Sequence, residues 1–111
     1  MRTDDALLDT QVLRLKALGH GARLRILREV IQGHEAGTPA GELQACLEIP
    51  ASTLSHHLSE LARAGLVKAT RQGTTLRYAA CFDVLRELTA YLWEDCCRGG
   101  GTCEQPRGGC R

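Results

Sequence analysis

A small, mostly α-helical domain carrying one β-hairpin is the fold class this sequence predicts, and three observations predict it. Apolar residues recur at helical spacing in several stretches. The run LVKATRQGTTLRYAA alternates apolar and polar residues around a glycine. A length of 111 residues supplies one modest core and no second one.

The elements follow in order. LLDTQVLRLKAL sets Leu8, Val12 and Leu15 on one side of a first helix. In ALGHGARLRILREVIQG the residues Ala22, Ile26, Leu27, Val30 and Ile31 mark a second helix, closed by Gly33. TPAGELQACL predicts a short third helix with Thr38 as N-cap, Pro39 at its first position, and Leu43, Cys46 and Leu47 on the buried face. After a break at EIPA, of the length that joins a helix-turn-helix pair, STLSHHLSELARAG opens on Ser52 as cap. It buries Leu54, Leu58 and Leu61 and ends at Gly65. The hairpin follows, its two runs alternating at Val67 and Ala69 and at Leu76 and Tyr78 around Gly73. CFDVLRELTAYLWED closes the domain as a last helix bearing Phe82, Leu85, Leu88 and Leu92, with Tyr91 and Trp93 beside them.

The formal net charge of +1 conceals a segregated pattern. Residues 31–50 carry Glu35, Glu42 and Glu48 and no Lys or Arg, whereas residues 11–30 hold Arg14, Lys16, Arg23, Arg25 and Arg28 against Glu29. Residues 51–80 set Arg63, Lys68, Arg71 and Arg77 against Glu60. A basic middle suits an anionic partner, and a solvated charged face is the plainer reading of the same pattern. Rotation by about 100° per residue puts Ser52, Thr53, Ser55, His56, Ser59 and Arg63 opposite or beside the leucine stripe. Short hydroxyls beside a basic residue fit a helix lying in the major groove of DNA. Lys68, Arg71 and Arg77 on the hairpin would then reach flanking phosphates, fixing register without reading sequence. His57, flanking the leucines, reads as a structural hydrogen-bonding residue. No arrangement of nucleophile and base, and no C-x-x-C, points to an enzyme.

The acidic start MRTDDALLDT has neither a basic n-region nor an apolar h-region, so no leader or membrane span is expected and the expected compartment is the cytoplasm. In a reducing cytosol the cysteines at 46, 81, 96, 97, 103 and 110 point to soft-ion or redox chemistry rather than to disulfides. Cys46 and Cys81 read as small core residues.

The runs ALGHGARLRILREVIQG, GELQACLEIPASTLSHHLSELARAGLV and RQGTTLRYAA together resemble the ArsR/SmtB family of metal-responsive winged-helix repressors over most of residues 7–95. Ser55, His57 and Leu58, followed by Ala64-Gly65-Leu66-Val67, are the most specific part of the likeness. It implies a winged helix-turn-helix domain for DNA binding and dimerisation over residues 1–95. It further implies a homodimer on a palindromic stretch of double-stranded operator DNA, released when a metal or metalloid docks. The first and last helices would pack across that dimer, with packing inside one chain as the alternative.

Family members place their inducer sites on different elements. The arsenic-sensing pattern ELCVCDL corresponds here to ELQACLE, with Cys46 alone, and the last helix lacks the histidines of zinc-sensing relatives. What remains is C-C-x5-C at Cys96, Cys97 and Cys103, similar to the C-terminal arsenite site of another subgroup. Three thiolates in a pyramid satisfy As(III), and Sb(III) likewise, because both are soft and carry a lone pair. Adjacent cysteines in a regular helix diverge by about 100°, so they converge only where the helix unwinds, and Gly99-Gly100-Gly101 supply an exit. Closing the segment from Cys97 to Cys103 costs about 1.6 kcal/mol in its length-dependent part. Residues 96–111 are therefore expected to form a flexible Cys/Gly-rich metalloid-binding tail, with Cys110 a spare thiol, a substitute ligand or neither. Zinc or cadmium, organic arsenicals and oxidants remain open as signals, as does a storage or docking tail uncoupled from DNA.

Overall fold

A computed structural model describes residues 3–94, and the four tail cysteines, Cys96, Cys97, Cys103 and Cys110, lie outside them. Along the described residues the chain forms α1 (Thr3–Leu18), α2 (Gly21–Gln32), β1 (Thr38–Pro39), α3 (Ala40–Leu47), α4 (Ala51–Arg63), β2 (Val67–Gln72), β3 (Thr75–Ala80) and α5 (Phe82–Trp93). The sheet is antiparallel in the order β1-β3-β2. A winged helix-turn-helix results, mostly helical as the sequence predicts.

The core collects Ile26, Leu27 and Val30 of α2, Leu43 and Leu47 of α3, and Leu54, Leu58 and Leu61 of α4. Burying a leucine fully is worth roughly 1.5–3 kcal/mol, so these stripes, more than helix propensity, hold the short α3 in place. Only Glu48, Ile49 and Pro50 separate α3 from α4, and Glu48 takes a left-handed backbone at φ 54° to make the turn.

α4 ends in a Schellman motif. Leu66 N–H donates to Leu61 C=O at 3.0 Å and Gly65 N–H to Ala62 C=O at 2.9 Å, while Leu61 and Leu66 are both fully buried. Gly65 sits at φ +81° with open space where a Cβ would go. Gly65→Ala is therefore expected to cost about 1–2 kcal/mol from backbone conformation alone, read as a lowered urea midpoint with unchanged slope. Leu66 C=O in turn accepts from Cys81 N–H at 2.9 Å, tying the base of the hairpin to the residue that precedes α5.

Three local expectations are corrected. Thr38 and Pro39 do not start α3 but form β1, paired with Tyr78 and Arg77 of β3. Gly33 closes α2 as expected, and a methyl group there would collide with the Thr38 hydroxyl, so the glycine admits the strand. Ser52 is not the cap of α4: Pro50 holds that position, extended at ψ 145° and without a side-chain cap bond. Cys46 is exposed rather than buried, because the inward arc of α3 is centred on Leu43 and Leu47 and Cys46 lies about 100° past Leu47. Cys81 is half-buried.

The outer helices leave apolar surface uncovered. Leu8, Val12 and Leu15 on α1 and Phe82 and Leu92 on α5 are all exposed, Leu92 at 58%. Leu88 is buried, and Arg14 of α1 pairs with Glu87 of α5 at 2.6 Å, so the two helices run together.

Candidate nucleic-acid interface

α4 presents the face the sequence predicts. Its buried side is Leu54, His57, Leu58 and Leu61, and its outer side shows Ser52, Thr53, Ser55, His56, Ser59 and Arg63, all exposed. Small hydroxyl side chains along the first two turns let the helix backbone come close to base edges, and no carboxylate interrupts them before Glu60. Arg63 pairs with Glu60 one turn back at 3.0 Å, a surface pair whose strength is small and which a phosphate can displace.

The hairpin stands beside that helix. Its register pairs Lys68 with Ala79, Thr70 with Arg77 and Arg71 with Leu76. Cross-strand partners share a face, so Lys68 and Arg77 lie on one side of the ribbon and Arg71 on the other. Lys68 and Arg71 are exposed. Arg77 is half-buried and gives its donors to the protein itself, Nε to the exposed Gln72 Oε1 at 2.6 Å and a terminal nitrogen to the Gly37 carbonyl at 3.0 Å. It braces the wing against the loop that leads into β1.

His57 anchors α4 to the helix beneath it. Its Nδ1 accepts from Arg23 Nε at 3.1 Å, and its side chain is buried at 6% exposure. His20 caps α2 through Nδ1, accepting from Ala22 N–H at 3.3 Å, and its ring centre lies 4.8 Å from that of His57. The ring centre of His56 lies 5.7 Å from that of His57. Burial, then His20, Arg23 and His56, hold the His57 imidazole below its ordinary 6.5. The neutral form is also the only one that can accept from Arg23. An unfolded chain binds the proton more readily, so this contribution to stability is complete above pH 6.5 and is lost as the pH falls below it. Urea denaturation of the parent chain should show that decline, and His57→Gln, which keeps an acceptor without titrating, should remove its part of the slope.

The structure thus exposes the α4 residues named from sequence along that helix, and exposes Lys68 and Arg71 on opposite faces of the neighbouring wing. Arg23 was missed, since no local pattern links it to a histidine 34 positions away. Cys96, Cys97 and Cys103 lie outside the described residues. Among those residues no three of His, Cys, Asp and Glu converge as metal ligands, and no helix is long and apolar enough to cross a membrane.

A domain with this helix pair, exposed polar recognition face and basic wing is a DNA-binding transcriptional regulator. Comparison with known proteins agrees. A helix-turn-helix domain family matches residues 18–69. The biofilm growth-associated repressor of Agrobacterium fabrum is 35% identical over 83 residues, covering 75% of this chain and 68% of its own length. The transcriptional activator HlyU of Vibrio cholerae is 37% identical over 81 residues, covering 73% and 72%. Among solved structures, a homodimeric winged helix-turn-helix DNA-binding domain from Mycobacterium bovis, described as "a possible ArsR-family transcriptional regulator", superposes with a TM-score of 0.70 at 28% identity over 95% of this chain and 96% of that one. The chain belongs to the ArsR family of winged helix-turn-helix transcriptional regulators.

Proposed function

We propose that this protein is an arsenite-responsive repressor that grips operator DNA as a homodimer and lets go when As(III), or Sb(III), is held by Cys96, Cys97 and Cys103. The observation that carries the reading is where α5 stops. The helix ends at Trp93, and Glu94 is already extended at φ −58°, ψ 132°, two residues before Cys96. Adjacent thiols need the helix to end before them, since in a continuing helix they would point about 100° apart. The donor set fits the ion: three soft sulfurs, with no fourth ligand required. Cys46 and Cys81 sit on different elements and offer no such triad.

Dimerisation follows from the uncovered apolar residues of α1 and α5, which a second copy would bury. α4 of each subunit would then enter the major groove of one operator half-site, with Ser52, Thr53, Ser55, His56 and Ser59 toward bases or phosphates and Arg63, Lys68 and Arg71 toward phosphates. Arg77 serves the wing from inside. Binding at the end of α5 would reshape the dimer-facing helix and so the spacing of the two recognition helices. Coupling of this kind typically amounts to about 1–3 kcal/mol. The three thiols give their protons to the three hydroxides of arsenous acid, which leave as water while three As–S bonds replace three As–O bonds, so loading needs no catalytic group and no redox partner.

An operator gel shift with and without arsenite tests the reading. Loss of the shifted band on adding arsenite is expected, and an unchanged band overturns arsenic-driven release. Parallel lanes with antimonite, cadmium, zinc and peroxide separate the other signals. Truncation after Asp95 should abolish the response, and a truncated chain that still responds would make the tail a storage or docking appendage.

A further inference from the structure

Between α1, α2 and α4 lies a partly enclosed cavity of about 150 Å³, bounded by Leu13, Lys16, Ala17, Arg23, Glu60, Arg63 and Ala64. We infer that this cavity is a binding site for a short-chain organic carboxylate, distinct from the tail cysteines. The charges of the lining do not balance. Three cations face one carboxylate, and that carboxylate, Glu60, is already paired with Arg63. Among the described residues no acidic side chain is within ion-pair distance of Lys16 or Arg23.

Arg23 comes to the cavity with its guanidinium oriented. Nε is committed to His57, and the two terminal nitrogens have no hydrogen-bond partner among the described residues. A fork held this way matches the two oxygens of a carboxylate. Lys16 adds a movable point charge. The buried Ala17 and Ala64 make an apolar floor and the exposed Leu13 an apolar rim, which a fully hydrated inorganic anion would leave unused and a short hydrocarbon tail would cover. The volume equals that of about five water molecules at roughly 30 Å³ each, which suits a ligand of propionate size.

The site borders the dimer surface proposed above: on α1, Leu13 lies about 100° or more around the helix from each of Leu8, Val12 and Leu15, whereas Lys16 lies about 40° from Val12. An occupant would join the helix offered for dimerisation to the last turn of the recognition helix and draw Arg63 away from nucleic acid, lowering operator affinity.

The test uses the full chain in amide-resolved NMR, titrated with sodium propionate, sodium phosphate or sodium chloride at matched ionic strength and neutral pH. Saturable shifts at Ala17 and Ala64 with propionate are expected, weakened roughly tenfold or more by Lys16→Glu, with Lys16→Gln intermediate. Operator binding of the parent chain should weaken in propionate, and that of Lys16→Glu should not respond. Shifts that fail to saturate, that chloride reproduces, or that survive Lys16→Glu overturn the site, and shifts with phosphate alone overturn the carboxylate assignment. Because none of these readouts involves arsenite, the site and the tail response stand or fall separately.

Discussion

Replacing Cys97 by serine is expected to leave the operator complex standing in arsenite that dissolves the complex of the parent chain. The parent should lose about 5- to 150-fold in operator affinity on saturation, the span of ordinary coupling energies. The variant should lose nothing, because two thiolates and a hydroxyl cannot complete the sulfur pyramid the ion favours. Cys96→Ser and Cys103→Ser should behave alike, and all three should bind operator normally without arsenite, since the exposed α4 face and the wing are untouched. Release by a monosubstituted organic arsenical asks for only two thiols. A variant that keeps that response while losing the arsenite response would identify which pair suffices. Cys110→Ser measures whether the fourth tail thiol takes part. Retention of full arsenite release in any of the three principal variants would remove that sulfur from the site.

Removing the wing cations should flatten the salt dependence of operator binding. Each phosphate contact contributes about 0.9 to the slope of log K against log salt, and a dimer carries two wings. Lys68→Gln is therefore expected to lower the slope by about 1.8, Arg71→Gln by the same amount, and the pair together by about 3.6. Both side chains are exposed and neither has a partner inside the described protein that would be lost. Arg77→Gln should differ in kind. It forfeits the bond to the Gly37 carbonyl and loosens the wing, so a stability loss should accompany any loss of affinity, with a smaller change in salt slope. A slope that falls equally for all three would return Arg77 to the phosphate contacts.

The parts of the fold legible in the sequence were those written in local periodicity. Leu54, Leu58 and Leu61 announced α4 and Gly65 its end, and Val67, Ala69, Leu76 and Tyr78 announced a hairpin that the register confirms. β1 was not legible, because its partner lies some 40 residues downstream and nothing local distinguishes a capping threonine from a paired one. The helix starts slipped for a related reason. Pro39 and Pro50 supply extended backbone where a hydroxyl cap was expected, so Thr38 and Ser52 are not used as caps. The outward face of α4 could be read because burial of one stripe dictates the other. Its attachment through Arg23 and His57 could not, nor could the cavity beside it, because both need three helices assembled before the residues meet.

The hydrogen bond from Cys81 to Leu66 ties three parts of the fold together at one residue. Leu66 closes the end of α4 and leads directly into the wing at Val67, and α5 starts at Phe82, the residue after Cys81. If α5 joins two subunits as proposed, torque applied to that last rod would reach helix and wing together, and both proposed contacts with the operator would be released in one step rather than peeled away in turn.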